Sequence, residues 1–454
     1  MKNSSTLYPS SLSLLTDLYQ LSMAKGYWKS GIYNKESIFH LYFRKVPFHA
    51  YYAISSGLEL ALDYLENLKF DPEEIQYLGN LKGNDGKSIF DESILNYLQR
   101  FKFECDVYAI PEGTAIQANS PIIRVEGPLI QAQLIESTLL NIINYSTNIA
   151  TKAAIIKSVA KEDACFEFGL RRANGPDGAL SASRAAYIGG FDGTSNVQAG
   201  FIYGIPVRGT HAHSWVMSHD SELQSFKSFA DVMPNNCTLL IDTYETKLGI
   251  KNAIEIGLQM KAKGQHLQGV RLDSGDLYDL SNYVRRALDA AGLSETKILA
   301  TNDLDENVIE NLKKRGAKID LWGVGTRLVA VSESLSGVYK LSALKNGDKW
   351  ESKLKKSDDH SKISWPGKLQ IKREIIDNVM YDTLFSEFDH ESDIKGKDLL
   401  VKVMDKGKRI FESPSIHQIR QQVLDFIHSI PIKKEHSWAI DNRLSDLRND
   451  LYGE

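Results

Sequence analysis

The chain has 454 residues, too many for one ordinary hydrophobic core, so two or three domains are expected. Its 42% hydrophobic and 25% charged content is that of a folded globular protein, and a net charge of −4 argues against a broad nucleic-acid surface while leaving room for a local cationic pocket. No apolar run is long enough to span a bilayer, no signal peptide is read at the N-terminus, and three scattered cysteines (Cys105, Cys165, Cys237) form neither a metal nor a redox pair, all of which points to the cytoplasm. In chain order, "GLELALDYLENLKF" from Gly57 has helical period. Residues 101 to 130 read as short strands broken by Pro and Gly, a small antiparallel sheet. From about Ala164 to Leu344, seven short apolar runs alternate with helix-like segments: "ACFEFGL", "YIGGFDG", "PVRGTHAH", "CTLLIDTYET", "LQGVRLDSGD", "KILATNDLD" and "KIDLWGVGT". That alternation implies a parallel sheet, and seven uninterrupted units favour a β/α barrel over an open sheet. Downstream, "GVYKLSAL", "KISWPGKLQIKRE" and "VMYDTLF" read as strands, the charged stretch after Leu344 as a solvated hairpin and loop, and "PSIHQIRQQVLDFIHSI" as an amphipathic helix.

A β/α barrel carries its chemistry at the C-terminal ends of its strands. Those ends hold Arg171 and Arg172; Asp192, Gly193, Thr194 and Ser195; His211 and His213; Asp242, Thr243 and Glu245; Arg271, Asp273, Ser274 and Asp276; Asn302 and Asp303; and Gly323, Gly325, Thr326 and Arg327. Thr194, Asp276 and Asp305 are explained as helix N-caps. Arg171, Arg271 and the histidines are not. Arginines among carboxylates point to an anionic, hydroxyl-bearing ligand, and "WGVGTR" offers a phosphate cradle. If "GTHAH" is extended, His211 and His213 face one side and could share a metal, with His219 or Asp242 as a third ligand. His211 reads better as a hydrogen-bonded structural histidine. His213 reads better as a nucleophile, one ring nitrogen held by Asp242 and the other free.

Several motifs in fixed order then match one family. "TDLYQLSMAKGYW", "FRKVPF", "FEFGLRRANGPDGALSASRAAYIGGFDGTSN", "GTHAHSWVM", "IDTYET", "GVRLDSGDL", "WGVGTRLV" and "KISWPGKLQIKRE" together resemble nicotinate phosphoribosyltransferase. The resemblance implies a type II phosphoribosyltransferase fold: α/β, an irregular β/α barrel with a mixed α/β domain built from both chain ends. The implied segments are 1–145, a barrel over 146–345, and a C-terminal segment 346–454 packing with the first. It implies that nicotinate and phosphoribosyl pyrophosphate give nicotinate mononucleotide and pyrophosphate with ATP hydrolysis and Mg²⁺, a step that salvages nicotinate into NAD.

The same resemblance makes His213 the phosphorylated histidine, with Asp242 orienting its imidazole. Phe168 stacks on the pyridine ring, Arg171 lies by its carboxylate, and Tyr19 covers the ring from the partner subunit of a homodimer. Arg271, Asp273, Asn302 and Asp303 surround the ribose and its phosphates, Gly323 and Gly325 the 5′-phosphate, and Arg44 and Lys340 the pyrophosphate end. Ser195 stands where nicotinamide-using relatives carry aspartate; a carboxylate there would repel nicotinate, so serine favours the acid. The cysteine cluster of zinc-binding members is missing after Cys237, so no metal ligands are assigned. The competing readings are a nicotinamide- or quinolinate-using phosphoribosyltransferase, and a non-catalytic phosphosugar-binding or His-x-His metal-binding barrel.

Overall fold

The computed structural model describes residues 11–330, 332–359, 362–388 and 394–453. The chain divides into two compact units, Met1–Thr151 with Glu333–Glu454, and Lys152–Ser332. The second unit is narrower than the expected 146–345. The reason is the strand Gly337–Asn346, which pairs along its length with Glu36–Phe43 and so belongs to the first unit.

The first unit is built on a seven-stranded sheet in the order Lys349–Ser352, Gly337–Asn346, Glu36–Phe43, Ile123–Pro128, Asp106–Ala109, Val401–Asp405, Lys408–Arg409, every pair antiparallel. The small sheet expected over 101–130 is thus part of a larger one drawn from both chain ends. The "KNGDK" hairpin turns on Gly347 at φ 59°, and Ser415 caps the expected helix Ile416–Ser429 with a capping box.

The second unit holds six parallel strands in the order Gly193–Thr194, Ala164–Glu167, Leu321–Val324, Lys297–Ala300, Gly269–Leu272, Thr238–Leu240. The run "PVRGTHAH" supplies only one parallel bridge, Val207 to Thr194. Numbered by the seven sequence units, the order is 3-2-1-7-6-5-4, a ring open between the third and fourth. His211 spans that opening: its buried Nε2 accepts the Leu240 backbone N–H at 3.2 Å, in place of a missing ladder bond. "YIGGFDG" is mostly not strand: Tyr187 and Ile188 finish the helix Gly175–Ile188, residues 189–192 are turn and irregular chain, and the strand is only Gly193–Thr194.

Candidate active site

His213 is not in a strand. It is the first residue of a short helix, His213–Met217, so the same-face argument for two extended histidines does not hold. Its imidazole is two-fifths exposed. Nδ1 lies 3.1 Å from the Thr243 hydroxyl, and Nε2 lies 3.6 Å from Asp273 Oδ2. Asp242, expected to hold the ring, does something else. Its Oδ2 accepts the Asp273 backbone N–H at 2.7 Å and the Ser274 hydroxyl at 2.6 Å, fixing the turn that presents Asp273. The strand Thr238–Leu240 ends before Asp242, so strand alternation does not decide which of Asp242 and Thr243 meets the histidine. Asp242 Oδ1 is buried with no hydrogen-bond partner.

Asp273 is the hub. Its Oδ1 receives Arg271 Nη2 at 3.0 Å and the Thr301 hydroxyl; Arg271 also donates from Nε to Thr301 at 3.0 Å and from Nη1 to Thr210 at 3.3 Å. Burial works to raise the Asp273 carboxyl, but the Thr301 hydroxyl, Arg271 and His213 together hold it below the usual carboxylate range. Burial lowers His211 to about 4, and its ring packs on Phe226 and Phe229. With Nε2 already occupied, His211 is not half of a chelate. Among the described residues no three His, Cys, Asp or Glu gather as a metal site.

The first two strand ends form a second cluster. Glu167, 1% exposed, accepts from the Gly169 backbone N–H, from the Ser183 hydroxyl at 2.8 Å and from the Thr194 hydroxyl at 2.5 Å. Its carbonyl accepts the Ser195 N–H at 2.9 Å. Thr194 is therefore no helix cap; Asn196 caps Val197–Tyr203 instead, while Asp276 and Asp305 do cap their helices. Phe168 follows Glu167, and the exposed Arg171 lies on the turn Leu170–Arg172 with no hydrogen bond or ion pair among the described residues. A side chain at Gly323 would lie 2.7 Å from the Phe168 ring and 2.6 Å from Thr301, and one at Gly325 would lie 3.2 Å from the Phe168 carbonyl. Both glycines thus make room for Phe168. Asn302 and Asp303 take left-handed conformations (φ 89° and 49°), and Asp303 pairs with Arg327 at 3.0 Å. Two consecutive non-glycine residues there mark backbone strain at a strand end, where binding loops store it.

Three expected site residues lie in the first unit. Tyr19 is 49% exposed near the start of Leu18–Lys29, beside the equally exposed Leu15 and Leu18, so it is not a core tyrosine. Arg44 donates to the Lys362 carbonyl at 3.5 Å. Lys340 donates to its neighbour's carbonyl at 2.8 Å, and burial holds its ammonium below the usual lysine range.

The polar strand ends can now be set beside known proteins. Residues 14–144 match the nicotinate phosphoribosyltransferase N-terminal domain and residues 164–372 the nicotinate phosphoribosyltransferase family domain. Nicotinate phosphoribosyltransferase of Bacillus subtilis (strain 168) is 41% identical over 443 residues, covering 91% of this chain and 88% of that protein. The chain belongs to the nicotinate phosphoribosyltransferase family. The human member is 32% identical over 412 residues, 78% of this chain and 75% of that protein. The crystal structure of human nicotinic acid phosphoribosyltransferase superposes with a TM-score of 0.85 at 27% identity, covering 96% of this chain and 99% of that one. Nicotinate-nucleotide pyrophosphorylase from Pyrococcus furiosus, at 22% identity and a TM-score of 0.73, shares the fold. The type II phosphoribosyltransferase fold expected from the motifs is therefore the fold observed. Sequence reasoning placed Thr243 among the polar strand ends without giving it a role, and missed Thr301, Thr210 and Glu167 as parts of this site. The three threonines lie at or near strand ends, where a cap is the ordinary explanation.

Proposed function

We propose that this family member joins nicotinate to phosphoribosyl pyrophosphate and couples the step to ATP through phosphorylated His213. The reading rests on one observation: a half-open imidazole held by Thr243 and Asp273, beside Arg271, at the strand ends of the barrel. The pyridine nitrogen attacks the anomeric carbon as the C–O bond to pyrophosphate breaks, and pyrophosphate leaves with the electron pair. Cationic side chains stabilise the departing charge. The nitrogen is already a nucleophile, so it needs placement between aromatic faces rather than a base.

In the ATP cycle the Thr243 hydroxyl accepts from Nδ1–H, which leaves the Nε2 lone pair free once the Asp273 carboxylate, 3.6 Å away, turns toward Arg271. Nε2 attacks the γ-phosphorus, ADP departs, and water later cleaves the P–N bond. A phosphoryl group on Nε2 would displace the Asp273 carboxylate by repulsion and draw Arg271 toward itself, which changes the charge the site offers to pyrophosphate. Mg²⁺ fits as an ion carried largely by substrate phosphates, with Asp273 or Asp303 able to add one carboxylate; bound there, it neutralises phosphate charge.

Nicotinate is favoured over nicotinamide by the unpartnered Arg171 and by Ser195, which brings no charge. A charge-assisted contact is worth roughly 1.5–3 kcal/mol, tenfold or more in binding, and Ser195→Asp should lose about that. Tyr19 with Leu15 and Leu18 forms an exposed apolar patch suited to a second copy of the chain, so a homodimer with shared sites belongs to the reading, as does the cytoplasm. Pyrophosphate release with nicotinate against nicotinamide, with and without ATP, tests it. Nicotinate-dependent release stimulated by ATP is expected; equal use of nicotinamide overturns it.

A further inference from the structure

Glu167 poses a question that the reaction does not answer. A buried carboxylate is costly unless fully hydrogen-bonded, and no cation among the described residues pairs with this one. Three neutral donors satisfy it instead: the Gly169 N–H on Oε1, and the Ser183 and Thr194 hydroxyls on Oε2. The Ser183 hydroxyl also lies 2.9 Å from the Ala179 carbonyl, so its one proton is shared between two acceptors. A carboxylate accepts from all three donors as they stand; a glutamine would set its NH₂ against the Gly169 N–H or, flipped, would require the Thr194 and Ser183 hydroxyls to turn from donors into acceptors.

The three donors lie on three elements. Gly169 opens the turn that carries Arg171 and directly follows Phe168. Thr194 directly precedes Ser195, whose own N–H is tied to the Glu167 carbonyl. Ser183 lies in the helix Gly175–Ile188 between them in sequence and also receives the Asn196 amide at 3.2 Å. One carboxylate therefore ties the loop bearing the aromatic ring and the arginine to the loop bearing the serine.

We propose that Glu167 is a positioning residue that sets acid-against-amide selectivity, by holding the Phe168–Arg171 turn and Ser195 at a fixed separation. The proposal rests on the nicotinate reading above. It also predicts a sign that simple electrostatics would not. A negative charge beneath a site for an anion should weaken nicotinate, so neutralising it would tighten binding if charge were all that mattered. If the carboxylate acts by holding the two loops, neutralising it loosens the site and weakens nicotinate.

The experiment measures KM for nicotinate, KM for phosphoribosyl pyrophosphate, kcat and nicotinamide use in the full-length enzyme, in Glu167→Gln, and in the pair Thr194→Val and Thr194→Ser. Glu167→Gln should raise KM for nicotinate about tenfold, the equivalent of one lost charge-assisted hydrogen bond, and narrow the nicotinate preference by a similar factor. KM for phosphoribosyl pyrophosphate should stay within about twofold. Thr194→Val, close in shape but lacking the hydroxyl, should shift in the same direction, and Thr194→Ser should recover. The Thr194 pair carries the test if Glu167→Gln does not fold. A lower or unchanged KM for nicotinate, or parallel change in both KM values, overturns the proposal. An unmodified enzyme that releases no nicotinate-dependent pyrophosphate would instead overturn the reading beneath it.

Discussion

Two carboxylates of the barrel unit behave in opposite ways. Glu167 is sealed in, satisfied by neutral donors, and faces nothing that changes charge. Asp273 is about one-quarter exposed, takes a guanidinium and a hydroxyl on one oxygen, and turns the other toward an imidazole at 3.6 Å. The first arrangement has one low-energy state and defines a shape. The second has competing charged partners, so a new charge on His213 would redistribute them. On the proposed function, the barrel would keep its substrate pocket rigid at one arc of strand ends and its energy-coupling groups responsive at another.

The sharpest way to break this contrast is to phosphorylate the protein. With ATP and Mg²⁺, His213 should take up an acid-labile, base-stable phosphoryl label. His213→Ala should reduce label and ATP hydrolysis to background, at least about 100-fold below the unmodified enzyme, as expected when the reacting group itself is lost. Slow transfer without ATP should remain. Glu167→Gln should leave labelling within a few-fold. Label retained in His213→Ala, or lost in Glu167→Gln, would erase the division between the two clusters.

Asp273→Asn should come next. It removes the charge facing both Arg271 and His213, and breaking a partly buried charge-assisted contact costs about 2 kcal/mol, or about thirtyfold in the rate of labelling. Quenched-flow labelling would show it, and an unchanged rate would remove Asp273 from the coupling cycle.

Thr243 and Asp242 can be separated in the same assay. Thr243→Val leaves the ring without its Nδ1 partner, so its orientation and tautomer are no longer set; labelling should slow about fivefold, as for loss of one neutral hydrogen bond of roughly 1 kcal/mol. Asp242→Asn should act mainly by loosening the Asp273–Ser274 turn, lowering the thermal midpoint along with the labelling rate. If Asp242→Asn slows labelling with the melting curve untouched, the carboxylate acts on the histidine after all.

That pair also shows where the sequence stops being readable. The motifs at the strand ends and the capping aspartates at 276 and 305 were legible because each depends on local chemistry and spacing, whereas the spacing of His211 and His213 misled, since His213 opens a helix. Which of Asp242 and Thr243 meets His213 depends on the strand ending at Leu240, and boundaries of that kind are fixed by tertiary pairing. Glu167 was invisible for a related reason. In "ACFEFGL" it reads as an ordinary alternating residue, and only the approach of Ser183 and Thr194 explains a buried charge. The return of Gly337–Asn346 to the first unit depends on a partner some 300 residues away, which periodicity does not reveal.

The smallest expected effect concerns His211, which touches neither cluster's chemistry but bridges the opening in the strand ring. Its Nε2 must be unprotonated to accept the Leu240 N–H, and burial pushes its pKa from the ordinary 6.5 to about 4. A group whose folded pKa is depressed binds protons more readily in the unfolded chain, so stability falls as pH drops below the unfolded value and continues to fall until the folded value is reached. The window is therefore pH 6.5 down to about 4. Those two values predict a loss of roughly 0.7 kcal/mol between pH 7 and pH 6, or about 2 °C in the midpoint of a unit this size. His211→Gln keeps an acceptor but cannot titrate, so its midpoint should lack that component while labelling of His213 stays within about twofold. Melting curves of the two proteins at pH 7 and pH 6 decide the matter. Parallel curves would mean that His211 titrates in the folded protein as it does in the unfolded chain, without accepting the Leu240 N–H, and that the ring of strands is closed by something other than its imidazole.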